Sequence, residues 1–307
     1  MYAVIGTNSW GGAVYEKLLR GSSVDKDILK QTAETAAKCG LFMFDTASNY
    51  GFGKSQKLIG ELCPKETEIS AKFTPSKKYK NRQVKTALEK TLLDIRRSYV
   101  DVYWLHLPLY IEENLSEMAE LYNEGKIKNI GISNANIEEC KQAKRILNNA
   151  NIPLFGVQNH YSLLARDWEQ NGLLAWCKEN NVEFWAWAVL EEGLLVPPKN
   201  QDNSSLLKTF YNSKRKKLAA LYDKSEQIGK KYDLTVQQTT IAFCASKGIV
   251  PLCGCRKPYQ VEQLCNAAKI KLSETEIKAL ETAADKTGIK IMGADMFRFS
   301  GALMSKK

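Results

Sequence analysis

Apolar residues along this chain gather into eight short runs separated by longer amphipathic stretches. In order the runs are Ala3–Thr7, Leu41–Phe44, Ile69–Phe73, Val100–Leu105, Asn129–Ile132, Phe155–Gln158, Phe184–Val189 and Ile249–Leu252. Most are near-continuous rather than alternating, the pattern of parallel strands whose outer faces are also covered. The stretches between them carry helical stripes. Leu115, Met118, Ala119 and Tyr122 recur at helical spacing, and Gly125 is placed to stop that helix. Ile137, Cys140 and Leu147 make a second stripe, with Asn136 as its N-cap and Glu138 and Glu139 in the first turn. Ile28, Leu29, Ala33, Ala36 and Ala37 make a third, ended by Gly40.

Eight strand–helix units in 307 residues predict an α/β fold of the closed (β/α)8 TIM-barrel type, as one domain spanning residues 1–307. No GxGxxG follows any of the runs, which argues against an open dinucleotide-binding sheet. Two segments break the rhythm. One is an excursion from Leu194 to about Asp233, between strands 7 and 8, rich in Lys, Asn and Ser. The other begins after Cys265, with a helix opened by a capping box of Ser273 and Glu276 and followed by the tail Lys286–Lys307. Loops at the carboxyl ends of barrel strands carry function, so excursion and tail are expected to wall a pocket.

Composition narrows the classes. The chain is 44% hydrophobic and 25% charged, as a globular protein with a large core is. No apolar run is long enough to cross a bilayer, and Met1 to Trp10 show no charged segment leading into a long apolar one. A cytoplasmic chain with no membrane partner is therefore expected. The eight cysteines lack the spacing of zinc or redox motifs, and reduced core thiols with no metal are the expectation. The net charge of +10 suits an anionic ligand and raises nucleic acid as a partner. Its densest stretches, Lys77–Lys90 and Lys208–Lys217, carry no nucleic-acid motif and read as solvated surface, so none is expected to bind there.

The polar residues that end the apolar runs are more informative. The second run delivers Asp45, then Asn49 and Tyr50. The third delivers Lys72 and the fourth His106. The fifth delivers Ser133 and Asn134, and the sixth Gln158 and Asn159. Any one of these fits a structural role: His106 as a satisfied core residue, Asp45 and Lys72 as an ion pair. Together, at successive strand ends, they assemble a chemistry. A free phenol is a poor acid at neutral pH, and an adjacent ammonium lowers its pKa by favouring phenolate. A carboxylate keeps that ammonium charged and in place, and a histidine can orient a carbonyl. Such a set protonates an oxygen on which negative charge builds. The missing hydride donor is not a side chain, and a nicotinamide would supply it.

The run Phe44-Asp45-Thr46-Ala47-Ser48-Asn49-Tyr50-Gly51 resembles the aldo-keto reductase signature. Ala71-Lys72-Phe73 resembles that family's lysine strand, and Leu105-His106-Leu107-Pro108 its histidine strand. Gly131-Ile132-Ser133-Asn134 and Val157-Gln158-Asn159 resemble its nicotinamide-binding stretches. The similarity runs in order over nearly the whole chain. It implies that Tyr50 is the general acid, Lys72 the group that depresses its pKa, Asp45 the partner of Lys72, and His106 the residue that steers the carbonyl. It implies that Ser133, Asn134 and Gln158 hold the nicotinamide carboxamide, and that Trp187 stacks on the ring, with Leu190 following it in the cofactor site. Pro251 to Pro258 resembles the phosphate-binding loop. There Gly254, Arg256 and Lys257, followed by Gln260 and Gln263, are expected to meet NADPH/NADP+, a basic residue pairing with the 2′-phosphate. Trp10, Leu107 and Phe297 are expected to face a small-molecule carbonyl substrate.

There are departures. Lys72 follows Tyr50 by 22 residues, a shorter gap than the family commonly shows, which a trimmed second loop explains. Ala188-Val189 stands where Ser-Pro is usual, and Gln263 and Leu264 where Glu and Asn are common. His160, just beyond Asn159, reads as structural. The resemblance implies a monomeric NADPH-dependent carbonyl reductase. Its alternative is an NADPH-binding regulatory or redox-sensing subunit with little turnover.

Overall fold

The computed structural model describes residues 3–11, 23–76, 78, 81–198 and 214–291. Its eight strands are β1 (Val4–Gly6), β2 (Met43–Asp45), β3 (Glu68–Phe73), β4 (Val102–Leu105), β5 (Ile130–Ser133), β6 (Leu154–His160), β7 (Glu183–Trp187) and β8 (Val250–Gly254). All neighbours are parallel, and β1 pairs with β8 to close the barrel. Each predicted run overlaps one of them. The shifts at their ends have local causes. Val100, expected to open β4, makes an isolated bridge to Ile127 instead. β6 is longer than its apolar run because Asn159 and His160 stay in register with Ala186 and Trp187 of β7.

Outside the barrel lie α1 (Lys26–Lys38), α2 (Lys54–Leu62), α3 (Gln83–Ile95), α4 (Ile111–Asn123), α5 (Ile137–Asn149) and α6 (Leu173–Glu179). They are followed by α7 (Ala219–Gly229), α8 (Val236–Ser246), α9 (Pro258–Ala268) and α10 (Glu274–Lys286). The predicted caps form. The Asn136 side chain accepts from the Glu139 N–H at 2.9 Å, and the Glu139 carboxylate accepts from the Asn136 N–H at 2.6 Å. Ser273 and Glu276 repeat the device at α10. Gly40 ends α1 with φ of 73°, the left-handed conformation that a β-carbon disfavours. The excursion after β7 holds α7, a helix for which the sequence carries no marked apolar stripe. Leu221, Ser225 and Ile228 bury its inner stripe.

Strand alternation divides the core in two. Ile5, Phe44, Ile69, Ala71, Tyr103, Leu105, Ile132 and Val157 point outward and join the helices in one large cluster. Val4, Met43, Val102, Trp104, Trp185 and Leu252 point inward and form a separate plug, with Phe155 and Val250 packed on it. Trp104 lies 5.0 Å from Trp185 and 6.0 Å from Phe155, centroid to centroid. Space for three such rings comes from glycine. A β-carbon on Gly131 would sit 2.3 Å from Trp104 Cε3, and one on Gly156 would sit 3.2 Å from Trp104 Cη2. The register between β5 and β6 slips at this point, leaving Phe155 as the extra residue between Leu154 and Gly156. Above the aromatic plug the inward positions turn polar.

Gly131→Ala is expected to drive a methyl into the Trp104 ring and destabilise the fold by roughly 1–3 kcal/mol. A lowered midpoint in chemical denaturation checks this, and an unchanged midpoint would contradict the packing described.

Candidate active site

The last inward residue of β2 is Asp45, which pairs with Ser70 of β3, and the next inward residue of β3 is Lys72. Parallel register therefore sets a carboxylate, a hydroxyl and an amine side by side at the upper end of the barrel. Lys72 Nζ donates to Asp45 Oδ1 and, at 3.4 Å, to the Thr46 carbonyl. Asp45 Oδ2 accepts from Ser70 Oγ at 2.7 Å and from Gln158 Nε2 at 3.0 Å. Trp104 Nε1 donates to Ser70 Oγ at 2.7 Å, which ties this network to the aromatic plug. Both charged side chains are almost wholly buried, 2% and 1% exposed. A buried carboxylate is tolerated when its lone pairs are satisfied, and here three donors satisfy them.

Tyr50 reaches the same place through a tight turn. The chain leaves β2, and residues Tyr50–Gly53 form a short helical turn in which Gly51 has φ of 55° and Gly53 of 84°. Gly51 also passes close to its neighbour, since a β-carbon there would sit 3.1 Å from the Trp10 carbonyl oxygen. The turn brings the Tyr50 ring centroid to 5.2 Å from Lys72 Nζ. Burial raises the Tyr50 phenol, the Lys72 ammonium pulls it down, and the Asp45 carboxylate raises it again. The net direction is upward, so Lys72 does not leave Tyr50 more acidic than an ordinary tyrosine. The expected depression is present as a pull and is outweighed by desolvation. Lys72 behaves in the opposite way. Burial lowers it, but Asp45 and Tyr50 more than offset that, and its net shift is upward.

His106 follows β4, with its N–H bound to the Phe73 carbonyl and its Nδ1 at 2.8 Å from Thr74 Oγ1. Burial, reinforced by the Lys72 charge, lowers its pKa to about 3, so the ring is neutral at ordinary pH. Asn134, with φ of 57°, donates from Nδ2 to the His106 carbonyl at 2.9 Å and to Ser133 Oγ at 3.2 Å. Ser133 Oγ donates onward to the Gln158 carbonyl at 2.6 Å. Asn134 Oδ1 is buried and has no partner. The ends of β4, β5 and β6 are thus cross-tied, with one acceptor left over.

The remaining expected residues divide. Trp187 is half-buried at the end of β7, and Leu107 half-buried just beyond His106. Gly254 is exposed, and a β-carbon added there would meet nothing nearer than the Gly6 carbonyl oxygen at 4.0 Å. Arg256 is half-buried and Lys257 exposed, at the start of α9. Gln260 has other work: its Oε1 accepts from the Arg256 and Lys257 N–H groups at 2.7 and 3.1 Å, which caps the helix. Gln158 commits its amide N–H to Asp45 rather than to open space. Gln263 is half-buried on α9, where its carbonyl accepts from Gln238 at 3.5 Å. Leu190 packs its side chain on the core, and its carbonyl accepts from Gly193 and Leu195. Trp10, expected to face a substrate, is instead fully buried. Its indole N–H donates to the Cys255 carbonyl at 2.8 Å and its ring meets Phe44 edge-on. A large apolar ring on the helix side of the wall joins β1 to the end of β8. Phe297 lies outside the described residues.

Ser70 and Thr74 were missed from the sequence. Ser70 was legible as the inward partner of Lys72 two residues along, the period of a strand. Thr74 carries no such signal, because it follows the strand in a loop. Among the described residues no helix is long and apolar enough to cross a membrane, and no cluster of ligating side chains could hold a metal ion.

Comparison with known proteins bears on this arrangement. The profile of the Aldo/keto reductase family matches residues 4–285. An aldo-keto reductase of Bacillus subtilis, YhdN, is 25% identical over 92% of this chain and 88% of its own. An NADH-specific methylglyoxal reductase of Escherichia coli is 25% identical over 92% and 93%. The crystal structure of an aldo-keto reductase from Klebsiella pneumoniae in complex with NADPH superposes with a TM-score of 0.72. It covers 91% of this chain and 90% of that one at 21% identity, a likeness of fold.

Because His106 falls from an ordinary 6.5 to about 3 on folding, the unfolded chain binds a proton there that the folded chain does not. The sign follows: stability is fully present above the unfolded value and is lost as pH falls across that window. His106→Gln is expected to remove this dependence. The gap in unfolding free energy between wild type and variant should change in the variant's favour as acid is added. A gap that stays constant would contradict a neutral, buried ring.

Proposed function

The chain belongs to the aldo/keto reductase family, and from that premise we propose that it is an NADPH-dependent reductase of aldehydes or ketones whose proton comes from Tyr50. The observation that carries the proposal is the Tyr50 ring lying against an ammonium that Asp45 holds inside the barrel.

The residues present suit a nicotinamide cofactor. Asn134 Oδ1 is a buried acceptor without a donor, which a carboxamide N–H would satisfy. Trp187 offers a flat, half-buried aromatic surface. Arg256 and Lys257 precede α9, whose first turn opens with Pro258, so basic side chains and a helix N-terminus coincide where a phosphate would be held. The two relatives differ in this respect. The Escherichia coli enzyme is named as NADH-specific, whereas the Klebsiella chain was solved with NADPH. The adjacent arginine and lysine favour the phosphorylated form for this chain. When bound, the cofactor supplies hydride.

The chain's own residues do the rest. Tyr50, raised by burial, is a protonated phenol at neutral pH and so is in the correct state to donate. Its proton moves from the phenol oxygen to the substrate oxygen as negative charge grows there. The phenolate that remains is stabilised by Lys72, whose charge cannot withdraw because Asp45 anchors it. The elevated resting pKa and the downward pull of Lys72 are compatible: burial keeps the proton on, and the ammonium lowers the cost of releasing it. His106, neutral and held by Thr74, offers a ring nitrogen to orient the carbonyl without competing as a charged acid. Leu107 beside it would contact the substrate. Gln158 and Ser70 keep the Asp45 carboxylate fixed while charge shifts a few ångströms away.

Purified protein should consume NADPH with small aldehydes or ketones, and faster than it consumes NADH. Tyr50→Phe should lower that rate by on the order of a hundredfold to ten-thousandfold, the usual contribution of a positioned acid, while the NADPH dissociation constant stays close to wild type. Full turnover by the phenylalanine variant would remove Tyr50 as the donor.

A further inference from the structure

A second buried polar cluster lies at the ends of β6 and β7, three strands round the barrel from Lys72 on β3, and plays no part in the proton step. His160, the last residue of β6, pairs in register with Trp187, the last residue of β7. Their rings lie 4.7 Å apart, centroid to centroid, at 35°. His160 is 4% exposed and Trp187 only half-buried, so the imidazole backs one side of the indole and leaves part of it open. His160 Nε2 is 2.8 Å from Glu191 Oε1, which also accepts from Ser162 Oγ. Trp168 Nε1 donates to the His160 carbonyl at 2.9 Å, which fixes the backbone on the other side.

Glu191 is placed there at a cost. It is a carboxylate with 6% exposure, on a loop where Ala188, Glu191 and Glu192 have φ of 56°, 47° and 51°. Left-handed backbone at such residues is strained and persists only where the surroundings over-determine it. A loop that needed only to close could bury a leucine, with no carboxylate to desolvate. What a carboxylate does, and a leucine cannot, is stop rotation of the imidazole. The object of that restraint is the ring that His160 touches.

We propose that Glu191 and His160 are a positioning pair for Trp187: the carboxylate locks the imidazole, and the imidazole sets the tilt of the indole. The inference rests on the reading of Trp187 as the surface that meets the nicotinamide. It assigns His160 a role beyond the structural one expected from the sequence. It also explains why Glu191 is held inward by a loop with three unfavourable backbone angles, its own among them. Neither residue touches the reacting atoms. Both act through the angle of Trp187.

The test uses Glu191→Ala, Glu191→Gln and His160→Ala, with three readouts. These are the near-ultraviolet circular dichroism of the free protein, NADPH affinity by fluorescence titration, and the single-turnover rate of hydride transfer to a small aldehyde. The alanine variants should change the aromatic dichroism before any cofactor is added. They should slow hydride transfer by on the order of tenfold to a hundredfold, as misplacement of reacting groups does, while NADPH affinity falls only a few-fold. Glu191→Gln retains an acceptor for His160 and should recover most of the rate. Should Glu191→Ala not fold, the double variant Glu191→Gln with His160→Phe fills the same space without an unpaired carboxylate, and it should show the same slow transfer. Alanine variants that unfold more easily yet transfer hydride at the wild-type rate with an unchanged spectrum overturn the proposal, and so does a double variant with wild-type transfer. A wild-type protein that binds no NADPH and reduces no carbonyl overturns the functional reading and this inference with it. Normal wild-type turnover with unaffected variants overturns the pair alone.

Discussion

An ammonium group can sit inside a barrel only if something there replaces water, and the Lys72–Asp45 contact is that replacement. Removing water from an isolated ion costs several kcal/mol even after relaxation. Asp45 returns part of this, and Ser70 and Gln158 occupy the carboxylate's other oxygen. Buried pairs of this kind add little net stability over an apolar pair of the same size. Their presence at the centre of a fold therefore points to what the charge does. Here it acts on its two neighbours in the same sense: it draws the Tyr50 phenol towards ionisation and adds to the burial that keeps the His106 ring neutral.

The interior is layered to make that possible. Trp104, Trp185 and Phe155 fill the lower barrel and exclude water beneath the pair. Gly131 and Gly156 give those rings room, and the Trp104 indole N–H reaches up to Ser70, the hydroxyl that serves Asp45. Burial of the two groups themselves sets the direction of both shifts. A buried phenol and a buried imidazole beside a fixed positive charge each keep their neutral form at ordinary pH. One is thereby a donor with its proton in place, and the other an uncharged guide.

How far this was visible beforehand depended on whether a feature is local. Strand runs and caps are local: Ile69–Phe73 and the box of Asn136 and Glu139 announce themselves within a few residues. Asp45, Tyr50, Lys72 and His106 were visible because each follows or interrupts an apolar run. What depends on the partner chosen across the barrel was not. Gln158 gives its N–H to Asp45, 113 positions away, and Trp10 turns to the Cys255 carbonyl, 245 positions away. Gln260 also caps its own helix, a local role that was not expected of it. The sign of the Tyr50 shift was not visible either, because charge is written in the sequence and depth of burial is not. Helix α7 was passed over for a different reason. Its stripe of Leu221, Ser225 and Ile228 includes a serine, which weakens the apolar signal of a short helix.

The claim on which everything else rests is that the Lys72 charge is felt by Tyr50. Replacing both members of the ion pair with neutral isosteres, Asp45→Asn with Lys72→Met, removes the charge without leaving a partner stranded. The resonance of the Tyr50 ring carbon that bears oxygen, identified by its loss in Tyr50→Phe, can be followed against pH in both proteins by isotope-labelled NMR. Titration should begin at higher pH in the double variant than in the wild type, because burial then acts unopposed. Titration at the same pH, or lower, would mean that the amine and the phenol lie together without acting on one another.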